Sequence, residues 1–335
     1  MSNRLVVALG LGAAGAAAGA AAGTVLAYRR WAAQPEPEGA AFGVLEGTDG
    51  AVSTPDGTTI AYTEAGDPTG PPVVLIHGWT EDRRVWAPVA RRLVEAGRRI
   101  IAYDQRGHGA SGVGQAGYTI DALADDLRAV LEGLDLRQVT VAGHSMGGMA
   151  AQALALHHPD VVNERVAGLV LVSTSASEAG ISGRRERQAE WLFATTGFQR
   201  AISHPTVGPL LTRGVIGRRP NLSHMRGTAD MLANTSVATR TGFLTAMRSM
   251  DLTAGLGGIK IPVTVMVGTR DQLTPLAAGR RIASLVNGAH LEVVPDAGHL
   301  LPLERPELVT RWILDTPGLP AAADDPLNGR AAAGV

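Results

Sequence analysis

The sequence contains no cysteine in its 335 residues. This absence excludes a disulfide-stapled fold, a thiolate zinc site, an iron–sulfur cluster and a cysteine nucleophile. Aromatic residues are scarce at 4%, and neither sign of charge predominates, because 30 basic and 31 acidic side chains give a net charge of −1. Near neutrality excludes the strongly basic surface typical of nucleic-acid binding, so we expect no nucleic-acid partner. Hydrophobic residues, at 45%, are sufficient for a substantial folded core.

The longest stretch without charge lies at the start of the chain. Residues 5–28 carry no charged side chain and are bounded by Arg4 and Arg29. At about 1.5 Å per helical residue, this length could cross a hydrocarbon layer of about 30 Å. We predict that residues 1–30 form an apolar helix that attaches the protein to a membrane, with its orientation left open. The alternative is a cleaved leader, in which case the protein is secreted.

The rest of the chain divides by composition. Residues 31–43 contain a Pro- and Glu-rich run and are predicted to be a linker, and residues 317–335 are predicted to be a disordered tail. Between them, residues 44–316 alternate short apolar runs with longer amphipathic ones. This pattern is typical of an α/β domain with a mostly parallel sheet and helices on both faces. Strand signals vanish over about residues 176–250, which predicts a helical cap inserted into the α/β order.

Six short apolar runs predict strands of that sheet. They are Val73–Ile76, Arg99–Tyr103, Gln138–Ala142, Gly168–Val172, Val263–Val267 and His290–Val294. The run Ile120–Leu134 places its leucines and valines on one side of a 3.6-residue period, and we predict a helix there.

The pentapeptide Gly143–Gly147 has the pattern G-x-S-x-G, with Ser145 at its centre. It follows a predicted strand and precedes a segment rich in small residues, which is the setting of a nucleophile elbow. Flanking glycines permit the tight turn that exposes the hydroxyl above the sheet edge. Ser145 is therefore the candidate nucleophile; the alternative is a serine that only caps the following helix.

A serine hydroxyl needs a base to remove its proton, and that base needs an orienting carboxylate. Asp271 follows one predicted strand and His299 follows the next, so both leave the carboxyl ends of parallel strands, where sites form. We predict Asp271 as the acid and His299 as the base. The rival acids are Glu178, which lies beyond the preceding strand, and Asp296, which is close to His299 in sequence.

Together these motifs resemble the α/β-hydrolase superfamily, in its serine-nucleophile, esterase- and lipase-like branch. The resemblance rests on five segments in order: His77–Trp79, Asp104–Ser111, Gly143–Gly148, Asp271 and Asp296–His299. It implies the α/β-hydrolase fold and Ser145, Asp271 and His299 as the catalytic triad. It further implies that the backbone amides of Trp79 and Met146 form the oxyanion hole.

The resemblance also implies an activity, namely the cleavage of carboxylic esters through a covalent acyl-enzyme without a metal or organic cofactor. We expect a small-molecule ester with an apolar acyl group, because methionine and aromatic residues are concentrated in the predicted cap. Alternatives with the same triad are a C–C bond hydrolase and a cofactor-free perhydrolase. A further alternative is a catalytically idle binding protein at a membrane, against which the complete order of serine, acid and histidine argues.

Overall fold

The computed structural model describes residues 28–29, 31, 42–43, 45–178 and 195–316. The predicted N-terminal helix lies outside these residues except at its end. Most of the predicted linker, the cap residues 179–194 and the tail at 317–335 also lie outside them. Within the described part of the chain, no helix combines the length and apolar character that crossing a bilayer requires.

Eight strands form one sheet at the centre of the molecule. They are β1 (Thr48–Ser53), β2 (Thr59–Gly66), β3 (Pro72–Ile76), β4 (Arg99–Tyr103), β5 (Val139–His144), β6 (Val166–Val172), β7 (Val263–Gly268) and β8 (His290–Val294). Their spatial order is β1-β2-β4-β3-β5-β6-β7-β8. The pairs β1–β2 and β2–β4 are antiparallel and all the others are parallel, which confirms the predicted mostly parallel sheet.

The described helices cover both faces of the sheet and continue into an insertion. In chain order they are α1 (Ala87–Glu95), α2 (Ile120–Gly133), α3 (Met146–His157), α4 (Pro159–Arg165), α5 (Thr196–Ile202), α6 (Val207–Thr212), α7 (Leu222–Asn234), α8 (Val237–Ser249), α9 (Leu276–Leu285), α10 (Leu301–Glu304) and α11 (Pro306–Leu314). Helices α5 to α8 lie between β6 and β7 in the chain, where the sequence predicts a helical insertion. We call the described residues 195–250 the cap.

Strand β3 shows how the two faces of the sheet become buried. Val74 and Ile76 belong to the apolar cluster that includes residues of α2 and α3. Val73 and Leu75 alternate with them and belong to the cluster that includes residues of α1 and α11. All four side chains are fully buried. Because both faces are covered, a central parallel strand is a continuous apolar run rather than an alternating one, which is why the sequence identifies it.

The antiparallel strands β1 and β2 are absent from the sequence prediction. β1 lies at the edge of the sheet, and four of its six residues are exposed to solvent. Its sequence, Thr-Asp-Gly-Ala-Val-Ser, therefore lacks the apolar run that marks the central strands.

Three aromatic residues that precede the domain lie against its cap. Tyr28, Trp31 and Phe42 pack beside the apolar cluster on the α1 face of the sheet. The Arg226 side chain donates a hydrogen bond to the Tyr28 hydroxyl over 2.8 Å, and the Arg213 guanidinium lies 6.0 Å from the centre of the Trp31 ring. The segment predicted as a linker thus contacts the cap at Trp31 and Phe42.

Candidate active site

Ser145 lies in the turn between β5 and α3. Its backbone has φ 50° and ψ −116°, a left-handed conformation that costs a non-glycine residue about 1–3 kcal/mol. A Cβ on Gly143 would lie 2.4 Å from the Gly147 carbonyl oxygen, and a Cβ on Gly147 would lie 2.4 Å from that of Ile76. Both positions therefore require glycine. The Thr174 hydroxyl donates a hydrogen bond to the Ser145 carbonyl over 2.7 Å, which helps to hold the turn in this conformation.

Asp271 lies in the loop after β7 and is 5% exposed. Its Oδ1 accepts hydrogen bonds of 2.9 Å from the backbone amides of Leu273 and Thr274. Its Oδ2 accepts a 2.8 Å bond from the Thr274 hydroxyl and lies 2.9 Å from Nδ1 of His299. Burial raises the pKa of Asp271, but His299 and the Thr274 donors outweigh it, so the pKa lies below its ordinary value. The carboxylate is thus held ionised and in a fixed orientation.

His299 lies in the loop after β8, and its imidazole is directed by the contact with Asp271. Because the Asp271 carboxylate accepts from Nδ1, the neutral ring carries its proton there and keeps the Nε2 lone pair for use as a base. The loop is held at two further points. The His299 amide donates to the Val215 carbonyl over 2.9 Å, and the Gly298 amide donates to the Glu304 carboxylate over 3.0 Å.

The elbow and the base loop touch through His144, the residue before Ser145. The His144 Nε2 lies 2.8 Å from the His299 carbonyl oxygen, and the two imidazole centres are 4.9 Å apart. The structure therefore brings the predicted nucleophile, acid and base to one edge of the sheet. They come from loops that are far apart in the sequence.

The two rival acids lie elsewhere. Asp296 is at the surface, where Arg270 lies 3.2 Å and Arg218 3.5 Å from its carboxylate. Glu178 is exposed and lines a cavity of about 280 Å³ with Ser175, Thr274 and Arg281, among others. Asp271 is the acid that pairs with His299.

The two predicted oxyanion residues flank the elbow. Met146 is the first residue of α3, and amides in the first turn of a helix have no acceptor within that helix. Trp79 follows Gly78, where a Cβ would lie 3.1 Å from the Cβ of Ser145. The Trp79 indole donates to the Arg240 carbonyl of the cap over 3.0 Å, so this loop joins the core to the cap.

A buried ion pair lies directly behind the elbow. The Glu81 Oε2 lies 2.9 Å from His144 Nδ1 and accepts a 2.6 Å hydrogen bond from the Gly78 amide. The other His144 nitrogen faces the His299 carbonyl, which can only accept. Burial alone would lower the pKa of His144, but the nearby Glu81 charge has the larger effect, so the pKa of His144 is raised. Burial alone would raise the pKa of Glu81, but the interaction with His144 has the larger effect, so the pKa of Glu81 is lowered. We infer that His144 is a buried imidazolium.

Two other buried histidines near this loop accept hydrogen bonds from backbone amides. The His77 Nε2 accepts from the Gln105 amide over 2.9 Å, and the His108 Nε2 accepts from the Thr80 amide over 3.1 Å. A ring nitrogen that accepts an N–H carries no proton of its own. Burial, with His77 nearby, lowers the pKa of His108 to about 3. These rings hold in place the loop that contains the predicted oxyanion residue Trp79, and the lowered pKa keeps His108 neutral near pH 7.

Sequence reasoning missed two residues of this arrangement. Thr274 could have been found, because a hydroxyl three positions after Asp271 fits the local turns that aspartate forms. Glu81 had no such signal, because its partner His144 is 63 positions away.

The family described as alpha/beta hydrolase fold matches residues 71–306. A non-heme haloperoxidase of Rhodococcus erythropolis is 33% identical over 264 residues, covering 74% of this chain and 92% of the relative. A 3-oxoadipate enol-lactonase of Acinetobacter baylyi is 31% identical over 208 residues, covering 62% of this chain and 74% of the relative.

Solved structures agree with the family match. An esterase from Exiguobacterium antarcticum superposes with a TM-score of 0.69 at 26% identity, covering 80% of this chain and 98% of the esterase. The strand order, the elbow and the family match lead to one conclusion. The chain belongs to the α/β-hydrolase fold family.

Proposed function

We propose that the protein is a serine esterase that hydrolyses small carboxylic esters through a covalent acyl-enzyme. The observation that carries this proposal is the position of His299, held by Asp271 on one side and touching the elbow of Ser145 on the other. Relatives named as an esterase and as an enol-lactonase support it, because both names denote the cleavage of an ester bond.

The mechanism follows from the roles that the geometry allows. His299 Nε2 takes the proton of the Ser145 hydroxyl as its oxygen attacks the ester carbonyl. The negative charge that develops on the carbonyl oxygen is stabilised by the amides of Trp79 and Met146. Losing one such donor costs about 2.7–4 kcal/mol of barrier stabilisation in a serine protease. His299 then protonates the leaving alcohol, and a water molecule, activated by the same histidine, releases the acid.

A second outcome of the acyl-enzyme is favoured by the relatives named haloperoxidases. Hydrogen peroxide could replace water at the second step. The peroxide oxygen would then attack the acyl carbonyl, His299 would take its proton, and a peracid would leave with Ser145 restored. This perhydrolysis uses the same residues, so peracid formation from an ester in the presence of peroxide would detect it.

The proposal is tested by active-site labelling and kinetics. A fluorophosphonate probe is expected to label wild-type protein and the control Ser203→Ala, which changes an exposed serine, but not Ser145→Ala. On p-nitrophenyl esters from acetate to palmitate, Ser145→Ala should lower kcat by about 10⁴–10⁶-fold, since loss of the nucleophile alone costs about 10⁶ in a serine protease. Labelling or turnover that survives in Ser145→Ala would refute the assignment.

A further inference from the structure

The cap contains a buried positive charge that the proposed chemistry does not use. Arg240, in α8, is 1% exposed. Its Nη2 donates to the Gln199 side chain over 2.9 Å, and its guanidinium lies 5.7 Å from the centre of the Phe198 ring. Among the residues that the structure describes, none accepts a hydrogen bond from its Nε or Nη1.

A buried guanidinium without a counter-ion is unfavourable. Removing a charge from water costs several kcal/mol unless an opposite charge or a full set of hydrogen bonds compensates it. Gln199 is neutral, and the Phe198 ring offers only a weak cation–π contact. Burial accordingly lowers the pKa of Arg240 below its ordinary value. No described residue supplies an acceptor for Nε or Nη1, and an anion compensates a guanidinium best.

The composition of the cap points to an anion as well. Residues 195–250 contain a single acidic residue, Asp230, and seven arginines: Arg200, Arg213, Arg218, Arg219, Arg226, Arg240 and Arg248. Asp230 is already paired with Arg84 of the core over 2.9 Å. The cap is therefore strongly cationic in a chain whose overall charge is −1, and such a surface attracts anionic small molecules.

The position of Arg240 links this charge to the candidate active site. Its backbone carbonyl accepts the hydrogen bond from the Trp79 indole, and Trp79 is a predicted oxyanion residue beside Ser145. The hydrogen bond, the Arg240 backbone and one arginine side chain thus connect the Trp79 indole to the guanidinium. A ligand could contact both if it carried an anionic group several bonds away from its reacting carbonyl.

We propose that Arg240 is a specificity-determining residue that binds a carboxylate at the far end of the substrate's acyl group. This inference rests on the proposed esterase function and narrows its substrates to esters or lactones of dicarboxylic acids. The polar end of such an acyl group would pair with the guanidinium, whereas its methylene chain would lie along the apolar residues of the cap. The sequence leads us to expect an apolar acyl group, whereas this inference predicts an acyl group that ends in a carboxylate.

The test compares esters that differ only in charge. The substrates are p-nitrophenyl half-esters of adipate, pimelate and suberate, each beside its neutral methyl-capped analogue, with the full chain at constant ionic strength. Wild-type protein should favour the charged form at least tenfold in kcat/KM at one chain length. Arg240→Met should lower that ratio at least tenfold, and Arg240→Lys should keep part of it, because lysine retains the charge without the planar fork. The control Arg200→Met, at an exposed arginine of the same cap, should keep the wild-type ratio.

A binding measurement separates this inference from the esterase proposal. Adipate should raise the melting temperature of Ser145→Ala in a concentration-dependent way, adipamide should not, and the effect should vanish in Ser145→Ala/Arg240→Met. If folded wild-type protein cleaves no ester, the esterase proposal fails, and this measurement still decides whether Arg240 binds a carboxylate. A wild-type ratio near one at every chain length, or a preference that survives Arg240→Met, would overturn the inference. If Arg240→Met does not fold, the wild-type ratio, Arg240→Lys and the adipate measurement decide it.

Discussion

The core and the cap each bury a cationic side chain, and the two side chains differ in their hydrogen-bond partners. Behind the elbow, His144 has the Glu81 carboxylate within 2.9 Å and a carbonyl on its other nitrogen. In the cap, Arg240 has a neutral amide on one nitrogen, and no described residue accepts from Nε or Nη1. A buried cation that is paired with protein groups fixes the positions of those groups. A buried cation whose nitrogens are not all paired can form hydrogen bonds to a ligand. In the proposed function, the core supplies the chemistry and the cap selects the substrate.

The largest effect is expected for a substitution in the core, which tests whether the core carries out the catalysis. Asp271→Asn keeps the shape of the side chain but removes the charge that directs His299. The wrong imidazole tautomer should then predominate, and kcat should fall by about 10⁴, as in a serine protease with the same change. The measurement is steady-state hydrolysis of p-nitrophenyl butyrate with wild-type and variant proteins.

Asp296→Asn is the matched control, because this aspartate is only three residues from His299 in the chain but lies in surface ion pairs. We expect it to keep kcat within a factor of about two, in keeping with the small worth of exposed ion pairs. A loss in Asp296→Asn together with activity in Asp271→Asn would transfer the role of acid to Asp296.

An intermediate effect is expected for the buried ion pair of the core. Glu81→Gln leaves the buried His144 without its counter-ion and should lower the free energy of unfolding by about 3–5 kcal/mol. The pair contributes fully between the ordinary pKa values of its members, which are 4.5 for Glu81 and 6.5 for His144. Above this window the contribution is lost as pH rises through the raised pKa of His144, and below it as pH falls through the lowered pKa of Glu81.

Urea unfolding of both proteins from pH 4 to 9 measures this difference. Glu164→Gln serves as the control, because its partner Arg137 and Glu164 itself are both more than half exposed, and exposed pairs contribute little. A stability difference between wild type and Glu81→Gln that does not change with pH would mean that His144 is neutral.

The smallest effect concerns how the chain before the domain is attached to the cap. The Arg213 guanidinium over the Trp31 ring is a cation–π contact of the kind worth about 0.5–1 kcal/mol at exposed sites. A double-mutant cycle with Trp31→Ala and Arg213→Ala, read by urea unfolding, should give a coupling energy of that size. A coupling energy of zero would show that Trp31 and Arg213 do not interact in solution.

The sequence predicts the parts of the site that come from local patterns. Ser145 is identified by the glycines around it, since their close backbone contacts are required by the turn itself. Asp271 and His299 are identified because each follows a buried strand that reads as an apolar run. The edge strand β1 escapes prediction because its residues are polar and largely exposed.

Interactions between distant parts of the chain are what the sequence does not reveal. The Glu81–His144 pair forms because two loops meet at the sheet edge. No sequence pattern near either residue indicates that the two are in contact. The same is true of Trp31, which composition places in a linker but which lies beside Arg213 of the cap. That no described residue accepts from Nε or Nη1 of Arg240 becomes visible only when its burial and its neighbours are known.

The buried pair of Glu81 and His144 has a consequence for how relatives of this protein can vary. Replacing either residue alone leaves a desolvated charge, whereas replacing both by neutral groups removes the charge altogether. We therefore expect a single substitution to be selected against and a double one to be tolerated. Across the family, the residues at these two positions, 63 apart in the chain, should change together, so that lineages without an acid at the first carry no histidine at the second.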